Sequence, residues 1–320
     1  AGPAGAWPAV SVLKPICGLE PGLEEGLRSI LLQDYPGPYQ VVRSAQRADE
    51  PALPLLRRLA DEYGPERVSV PVATGEPEAN GKIFNLCNAL GAARHDVLVI
   101  SDSDVRVPPD YLRAIVAPLS DPAVGYSQTL YRGSGARRWF ERLELLSLHD
   151  FVCDIVFAHE TGASTFCLGS SVAFRRSTLE AIGGFEPLSD FLVEDYEMGR
   201  RIRARGLRLA LVRRPVDNRI ELPSARAWWE HQLYWDQNTR HARPKGFFAS
   251  ILVRPVPFAA IFAALRLFDP PSVAILAGVL AVRWLTVAGA MALLDEREGL
   301  ASLPWLPLRD LASLATWVLA

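Results

Sequence analysis

Two aspartates stand directly after an apolar run, in the segment Val97-Leu-Val-Ile-Ser-Asp102-Ser-Asp104. Their i, i+2 spacing places both carboxylates on one side of an extended chain. If the apolar run is a parallel strand, the pair lies at its carboxyl end, where open α/β sheets bind ligands. Two carboxylates there can hold Mg²⁺ or Mn²⁺ beside a diphosphate, and the metal would offset the charge on a leaving diphosphate. By itself the pair also fits a solvated loop with a capping aspartate.

A second acidic cluster, Glu194-Asp195-Tyr196-Glu197, opens a segment whose apolar residues have helical spacing. Acidic residues are common in a first helical turn because they suit the helix macrodipole. An aspartate close to the Asp102 pair can also take the proton from an attacking hydroxyl. The cluster therefore offers a helix cap or a general base.

The third chemical signal is aromatic, in the segment Trp228-Trp-Glu-His231-Gln-Leu-Tyr234-Trp235, which Arg240 follows. Aromatics just ahead of an apolar region fit an interfacial belt at a membrane surface. They can equally wall an acceptor pocket that is apolar toward a lipid and stacks against a sugar. On the second alternative His231, Tyr234 and Trp235 contact the acceptor.

Elements that could position these residues alternate along the chain as far as about Arg214. Short β-branched runs are followed by longer segments with helical spacing, which is typical of βα units in a mostly parallel sheet. The pattern predicts an α/β fold. The predicted strands are 10–13, 40–43, 68–72, 97–100, 125–129, 167–174 and 207–212, and the predicted helices are 23–33, 52–63, 82–93, 111–119, 137–156 and 193–205.

Composition limits the function classes. The chain has 320 residues, 49% of them apolar, which suits one large domain plus an appendage. A net charge of −2 and a pI near 6.3 give no basic excess for nucleic acid. The four cysteines form no C-x-x-C pair, so neither a zinc site nor a disulfide framework is indicated and a reducing compartment fits.

From Phe247 onward the chain is dominated by Ala, Leu, Val, Ile and Phe. Residues 272–294 contain one charge, Arg283, and are long enough to cross the hydrocarbon core of a bilayer, so they predict a membrane helix. The alternative is a buried helix in a soluble bundle. Residues 251–268 are apolar but interrupted by Arg and Pro, which favours an interfacial or re-entrant segment.

Six short motifs follow one another along the chain: Ser11-Val-Leu-Lys14-Pro15, Gln33-Asp34-Tyr35-Pro36, Asn80-Gly-Lys82-Ile-Phe-Asn85-Leu86, Ser101-Asp102-Ser-Asp104-Val-Arg106-Val107, Ala181-Ile-Gly183-Gly184-Phe185 and Glu194-Asp195-Tyr196. Together they resemble the motifs of the ceramide glucosyltransferase family, glycosyltransferase family 21. The resemblance covers about residues 10–246 and is specific, because the motifs occur in the family's order. Closely similar bacterial enzymes glycosylate hopanoids.

The resemblance implies a GT-A fold, a UDP-sugar donor and a divalent metal, Mg²⁺ or Mn²⁺. Asp102 and Asp104 match the family's motif that meets the metal and the donor diphosphate. Asp195 matches the family's base, with Glu194 beside it. Lys82 matches a lysine that we place near the donor phosphates, although a lone loop lysine is more often solvated.

Two positions depart from the family pattern. The family usually has Asp directly after the Gln at the second strand's end, whereas here Arg47 follows Gln46 and the next aspartate is Asp49. We expect Asp49 in the nucleotide pocket, and a plain turn residue is the alternative.

The second departure lies in the family's last motif, Q/R-x-x-R-W, which here reads His231-Gln-Leu-Tyr234-Trp235. Tyr234 stands where an arginine would help to hold the diphosphate or the acceptor. Arg240, one to two helical turns further on, can supply that charge.

The functional hypothesis is an inverting glycosyltransferase that moves a sugar from a UDP-sugar to a lipid hydroxyl, with ceramide ahead of hopanoid or diacylglycerol and glucose ahead of N-acetylglucosamine. We expect residues 1–246 to be the catalytic domain and 247–320 the membrane region. Arg240, Arg243 and Lys245 favour a cytosolic catalytic face, at a bacterial inner membrane. The alternatives are a processive polysaccharide synthase, which needs a larger membrane channel, and a decayed lipid- or sugar-binding protein.

Overall fold

The computed structural model describes residues 6–20, 22–74, 80–162, 167–294 and 296–320. They form two compact units, which are described separately: Ala1–Tyr131 with Ile155–Asn218, and Arg132–Asp154 with Arg219–Ala320. The strands are β1 (Val10–Ile16), β2 (Tyr39–Ala45), β3 (Val68–Ser69), β4 (Val97–Ser101), β5 (Val105–Arg106), β6 (Val124–Ser134), β7 (Ser171–Arg175) and β8 (Arg208–Arg219). The helices are α1 (Leu23–Leu31), α2 (Leu53–Tyr63), α3 (Gly81–Ala92), α4 (Tyr111–Val116), α5 (Trp139–Glu160), α6 (Arg176–Ala181), α7 (Glu194–Ala204), α8 (Ala225–Ala242), α9 (Pro244–Ala249), α10 (Pro255–Leu265), α11 (Pro270–Leu293), α12 (Arg297–Ser302) and α13 (Leu306–Leu319).

The first unit is organised by an eight-stranded sheet with the order β3-β2-β1-β4-β7-β6-β8-β5. Its first four strands are parallel, with Val10 of β1 opposite Tyr39 of β2 and Val97 of β4. Beyond β4 the pairing becomes antiparallel, as β7 runs against both β4 and β6. The carboxyl ends of β1, β2 and β4 therefore meet at one edge, and β7 enters that edge from the opposite direction.

Each predicted strand and helix has a counterpart, with differences at the ends. The predicted helix 111–119 is α-helical only to Val116, and a 3-10 turn replaces its last part because Pro118 cannot donate a backbone hydrogen bond. The predicted strand 167–174 begins at Ser171, since the residues before it form the turn that meets α7.

Helices α3 and α7 pack on the same side of the sheet. Ile83 and Leu86 of α3 and Met198 and Ile202 of α7 share one core cluster with Leu98 of β4. Full burial of an aliphatic side chain of this kind is worth about 1.5–3 kcal/mol. This packing fixes where the first turns of both helices lie, and those turns carry Lys82 and Asp195.

The second unit is helical, and its α11 is 24 residues long with a mean hydropathy of 1.9. Within the described residues, only 6% of the most apolar stretch of this helix is buried. The bent pair formed by Pro244–Val253 and Pro255–Leu265 is also apolar enough to cross a membrane, so the described chain has one helix, or up to two, that could span. The structure thus confirms that the predicted segment 272–294 is a long helix of apolar composition.

Candidate active site

The Asp102 turn follows β4 at the carboxyl edge of the sheet. Strand β4 is buried along its whole length, and the chain leaves it at Ser101. The Asp102 backbone N–H donates to the Ser170 carbonyl at 3.0 Å, and the Val105 N–H donates back to the Asp102 carbonyl at 3.3 Å. These bonds hold a tight turn that carries Asp102 and Asp104.

Lys14 lies beneath this turn, inside the sheet. It is 0% exposed on β1, and its Nζ donates to Ser101 Oγ at 3.1 Å and to the Asp102 carbonyl at 2.5 Å. Burial lowers the pKa of Lys14 to about 8, although the charges of Asp104 and Asp102 oppose that change. Lys14 was not predicted as a site residue. The feature that could have indicated it is a single lysine within an apolar strand pattern.

Lys82 joins the two acidic clusters. Asn80 caps α3, its Oδ1 accepting from the Lys82 and Ile83 N–H groups at 3.1 Å. Lys82 Nζ lies 2.9 Å from Asp102 Oδ1 and donates to Asp102 Oδ2 at 3.0 Å, while Glu194 Oε1 is 3.8 Å away. Burial lowers the pKa of Lys82, but the charges of Asp102, Glu194 and Asp195 outweigh it and raise the pKa above its usual range. Lys82 is therefore a fixed cation at the site.

Asp195 opens α7 with both carboxylate oxygens occupied. Oδ2 accepts from the Gly169 N–H at 2.9 Å and Oδ1 from the Tyr196 N–H at 2.7 Å. A Cβ at Gly169 would lie 3.0 Å from both Asp195 Oδ2 and Lys82 Nζ, so this approach favours glycine. Burial and the charge of Glu194 raise the pKa of Asp195 to about 6, against the opposing effect of Lys82 and the two N–H donors. A pKa near 6 suits a general base at neutral pH.

The aspartate pair fits a hard divalent cation. Burial and the charges of Asp102 and Glu20 raise the pKa of Asp104 to about 6, and Asp102 Oδ1 is buried with Lys82 Nζ 2.9 Å away as its counter-ion. In the described ranges no group of three or more His, Cys, Asp and Glu side chains is placed to hold a metal ion. Two carboxylates alone match the way Mg²⁺ is usually held, where phosphate and water oxygens complete the shell.

A cavity of about 350 Å³ opens beside these residues. It lies at the carboxyl ends of β1, β2 and β4, where α/β sheets bind nucleotides. A larger cavity of about 580 Å³ includes Asp96 and Val97, at the opposite end of β4 from Asp102, and we do not assign it to the site. The smaller cavity is lined by Pro15, Cys17, Glu20, Gln46, Gly81, Lys82, Asn85, Asp102, Ser103 and Asp104.

Asp49 is not among the residues that line this cavity. Its Oδ1 pairs with Arg47 Nε at 3.0 Å, and both side chains are exposed. Gln46, at the end of β2, lines the cavity instead. The structure thus brings together Lys82, Asp102, Asp104, Glu194 and Asp195 and leaves Asp49 in a surface ion pair.

The aromatic segment lies in the second unit, on α8. Glu144 of α5 is buried and holds two residues of that segment, with its Oε1 3.0 Å from His231 Nδ1 and its Oε2 accepting from Gln232 Nε2 at 2.7 Å. The Trp235 ring packs 4.9 Å from the His231 ring. Tyr234, on the same helix, is 50% exposed.

Arg240 lies two turns beyond His231, near the end of α8. Its Nη1 donates to the Ala320 carbonyl at 2.7 Å, and its guanidinium lies over the Phe248 ring. Both Arg240 and Tyr234 are accessible within their own unit.

Comparison with known proteins gives a family and a fold. The model of the family described as Glycosyl transferase family 21 matches residues 1–320. Ceramide glucosyltransferase 1 of Caenorhabditis elegans is 25% identical over 219 residues, which are 67% of this chain and 46% of that protein. A ceramide glucosyltransferase of Pyricularia oryzae is 32% identical over 114 residues, 31% of this chain and 23% of that protein. The chain thus spans about half the length, or less, of these curated relatives.

Solved structures show the fold. A mannosyltransferase, PcManGT from Pyrobaculum calidifontis in complex with GDP-Man and Mn²⁺, is similar with a TM-score of 0.60 at 24% identity, over 99% of this chain and 88% of that one. GalNAc-T7 with UDP, GalNAc and Mn²⁺ is similar with a TM-score of 0.50 at 15% identity, over 74% of this chain and 51% of that one. The GT-A fold predicted from the sequence is confirmed.

Proposed function

We propose, because this chain belongs to glycosyl transferase family 21, that it transfers a hexose from a UDP-sugar to the hydroxyl of a lipid, with inversion at the anomeric carbon. The main support for the proposal is the position of Lys82. Its ammonium pairs with Asp102 and lies near Glu194, beside the cavity at the sheet edge. Because Lys82 lies between the two acidic clusters, the proposed diphosphate site at Asp102 is close to the proposed base Asp195.

The roles follow from the contacts of each side chain. Asp195, held by two N–H donors, takes the proton from the acceptor hydroxyl as its oxygen attacks the sugar. Lys82 offers its ammonium to the donor diphosphate. Asp102 and Asp104 would hold Mg²⁺ or Mn²⁺, which when bound offsets the charge on the departing diphosphate. Two structural relatives contain Mn²⁺, which supports a divalent cation here.

The donor sugar and the acceptor are proposed from the relatives. Those compared above are ceramide glucosyltransferases, so we place glucose and a ceramide-like lipid first and hopanoid or diacylglycerol next. The product would be a glycolipid. The exposed apolar surface of α10 and α11, with Phe258, Leu265, Ile275 and Leu285, supports a membrane location.

Lipid extracts of an expressing host test the function most directly. We expect mass spectrometry to show a new hexosylated lipid in cells with the wild-type protein and none in cells with Asp195→Asn at equal expression. A host that makes ceramide and one that makes only diacylglycerol would separate the two acceptor classes. Absence of any new glycolipid in both hosts, together with no UDP release by the purified protein, would reject transfer.

We expect the protein to remain in the membrane after a high-salt wash, through α11. Burial of its apolar side chains in lipid outweighs one arginine, which costs about 2.5–3.5 kcal/mol at a helix centre. Arg283 also pairs with Asp310 at 3.0 Å and with Asp150, and these carboxylates compensate its charge and lower the cost of burying it. Replacing both Val282 and Leu285, which are exposed on α11, by Lys should release the protein, whereas replacing both by Ala should not. Wild-type protein that is monodisperse in plain buffer would contradict the span.

Arg240→Ala is expected to lower turnover by about a hundredfold or more, because loss of one electrostatic donor to a departing group costs roughly 2.7–4 kcal/mol. Tyr234→Phe should have a mild effect, and Arg243→Ala, which removes a charge from the same helix end, is the matched control. Steady-state kinetics with a short-chain acceptor measures all three. If Arg240→Ala kept the wild-type turnover and Tyr234→Phe were inactive, Arg240 would not stabilise the departing group. The Tyr234 hydroxyl would then have that role.

A further inference from the structure

Three side chains of the second unit form a hydrogen-bonded row away from the site described above. His149 and Cys153 lie one turn apart on α5, which places them on the same helix face. Cys153 Sγ is 3.4 Å from His149 Nε2, and His149 Nδ1 is 2.8 Å from Glu296 Oε2. A thiol, an imidazole and a carboxylate in this order are the parts of an activated nucleophile.

The imidazole of this row is firmly held. His149 is 2% exposed and Glu296 6%. Glu296 holds Nδ1, so that Nε2 faces the thiol. Burial lowers the pKa of His149, but hydrogen bonds with Cys153 and Glu296 raise it to about 9. The Asp150 carboxylate also acts on His149, and its charge favours the imidazolium too.

Two of the chain's other cysteines have less favourable surroundings. Cys17 is exposed, but desolvation and the charges of Glu50 and Glu20 raise its pKa, which disfavours the thiolate. Cys167 is buried, and its pKa is raised well above the usual value by burial and by Asp195. Reactivity of a thiol follows its thiolate fraction and its access. Exposure alone would therefore rank Cys17 first among these three thiols, whereas the imidazole beside its sulfur favours Cys153.

Cys153 also borders a cavity of about 180 Å³ within the second unit. Arg283 and Arg309 in its wall are paired with Asp150 and Asp310. Arg254 Nε is buried with no hydrogen-bond partner among the described residues. The cavity has room for a molecule of a few heavy atoms, since a water occupies about 30 Å³.

We propose that Cys153, held by His149 and Glu296, is the nucleophilic thiol of this protein and a site of covalent modification by small electrophiles that carry a leaving group. The Cys153 sulfur forms a bond to the electrophilic carbon, and the bond from that carbon to the leaving group breaks with its electron pair. The proton shared between the Cys153 sulfur and His149 Nε2 stays on Nε2, as the imidazolium that Glu296 and Asp150 stabilise, or passes from there to the leaving group. The step needs no oxidant.

Timed alkylation of the folded, detergent-solubilised protein with limiting iodoacetamide at neutral pH, followed by peptide mapping, tests the proposal. We expect Cys153 to be alkylated about tenfold faster than Cys17 or more, because His149 lies beside the Cys153 sulfur and can hold its proton, whereas the carboxylates near Cys17 disfavour its thiolate. Labelling of Cys17 first, or of Cys153 only after denaturation, would overturn it. This comparison is internal to the wild-type protein and needs no variant.

Two matched variants separate activation from a structural role. Glu296→Gln keeps a hydrogen-bond acceptor for His149 but removes the charge, so Cys153 alkylation should slow about threefold to tenfold while Cys17 is unchanged. Glu298→Gln removes a charge from the same segment, where Glu298 accepts from the Gly135 N–H, and should leave both rates as in wild type. An unchanged Cys153 rate in folded Glu296→Gln would overturn the proposal.

Discussion

Asp195→Asn should reduce sugar transfer by about a hundredfold to ten-thousandfold while UDP affinity stays near the wild-type value. An amide cannot accept the acceptor's proton, and the loss has the magnitude of a general base. Because both Asp195 oxygens accept backbone N–H groups, the amide satisfies only one of them. UDP titration by calorimetry therefore serves as the check that the site is still assembled, and turnover with a short-chain lipid acceptor measures the loss.

The pH profile offers an independent test of the same role. Desolvation and Glu194 raise the pKa of Asp195 to about 6, so the base is ionised above that pH and protonated below it. Transfer should fall about tenfold per pH unit below the pKa of Asp195. Glu194→Gln is the control, since removing its charge should move this acid limb to lower pH and leave transfer at neutral pH largely intact.

Two outcomes would remove Asp195 from the role of base. One is wild-type transfer by Asp195→Asn. The other is a loss of UDP affinity as large as the loss of turnover, which would mean that Asp195 organises the donor site through Lys82 and Gly169.

Asp104→Ala should abolish the dependence of UDP binding on a divalent cation. Wild-type UDP affinity is expected to fall about tenfold or more when a chelator replaces Mg²⁺ or Mn²⁺, because Asp102 and Asp104 would hold the cation and the cation would attract the diphosphate. Affinity of the variant should be low and equal in both buffers. Asp104 is the sharper choice of the two, since Asp102 already has Lys82 as its counter-ion.

Lys82→Gln is the matched control for the metal experiment. Its ammonium acts on the diphosphate directly, so the variant should bind UDP more weakly in chelator as well as in metal. Equal UDP affinity of the wild-type protein with and without chelator would contradict the metal assignment.

Much of the fold could be predicted because its signals are local. The alternation of β-branched runs and helical spacing identified β1, β2, β4 and the helices after them, and the Asp102 pair was found from the strand that precedes it. The antiparallel half of the sheet was not predicted. Strand β7 has the same apolar pattern as β4, and only its pairing with Val97–Ser101 determines its direction.

Lys14, which sequence reasoning missed, depends on a contact between distant segments. It lies under the Asp102 turn from 88 residues away in the chain. Its residue type was visible in the sequence, but the group that it meets was not. Asp49 was expected in the nucleotide pocket, with a plain turn residue as the alternative, and its carboxylate pairs on the surface with Arg47, two residues away.

The sequence by itself determined most of the strands and helices of the first unit, that residues 272–294 form an apolar helix, and which carboxylates follow strand and helix ends. These features arise from periodicity and from neighbours within a few residues, which any single chain carries in its order. Tertiary structure decided that Lys82 connects Asp102 with Glu194, that Glu144 holds the aromatic segment, and that Glu296 meets His149. Such pairs form where packing of the core brings distant elements together, so their energies depend on burial and distance that no local pattern contains.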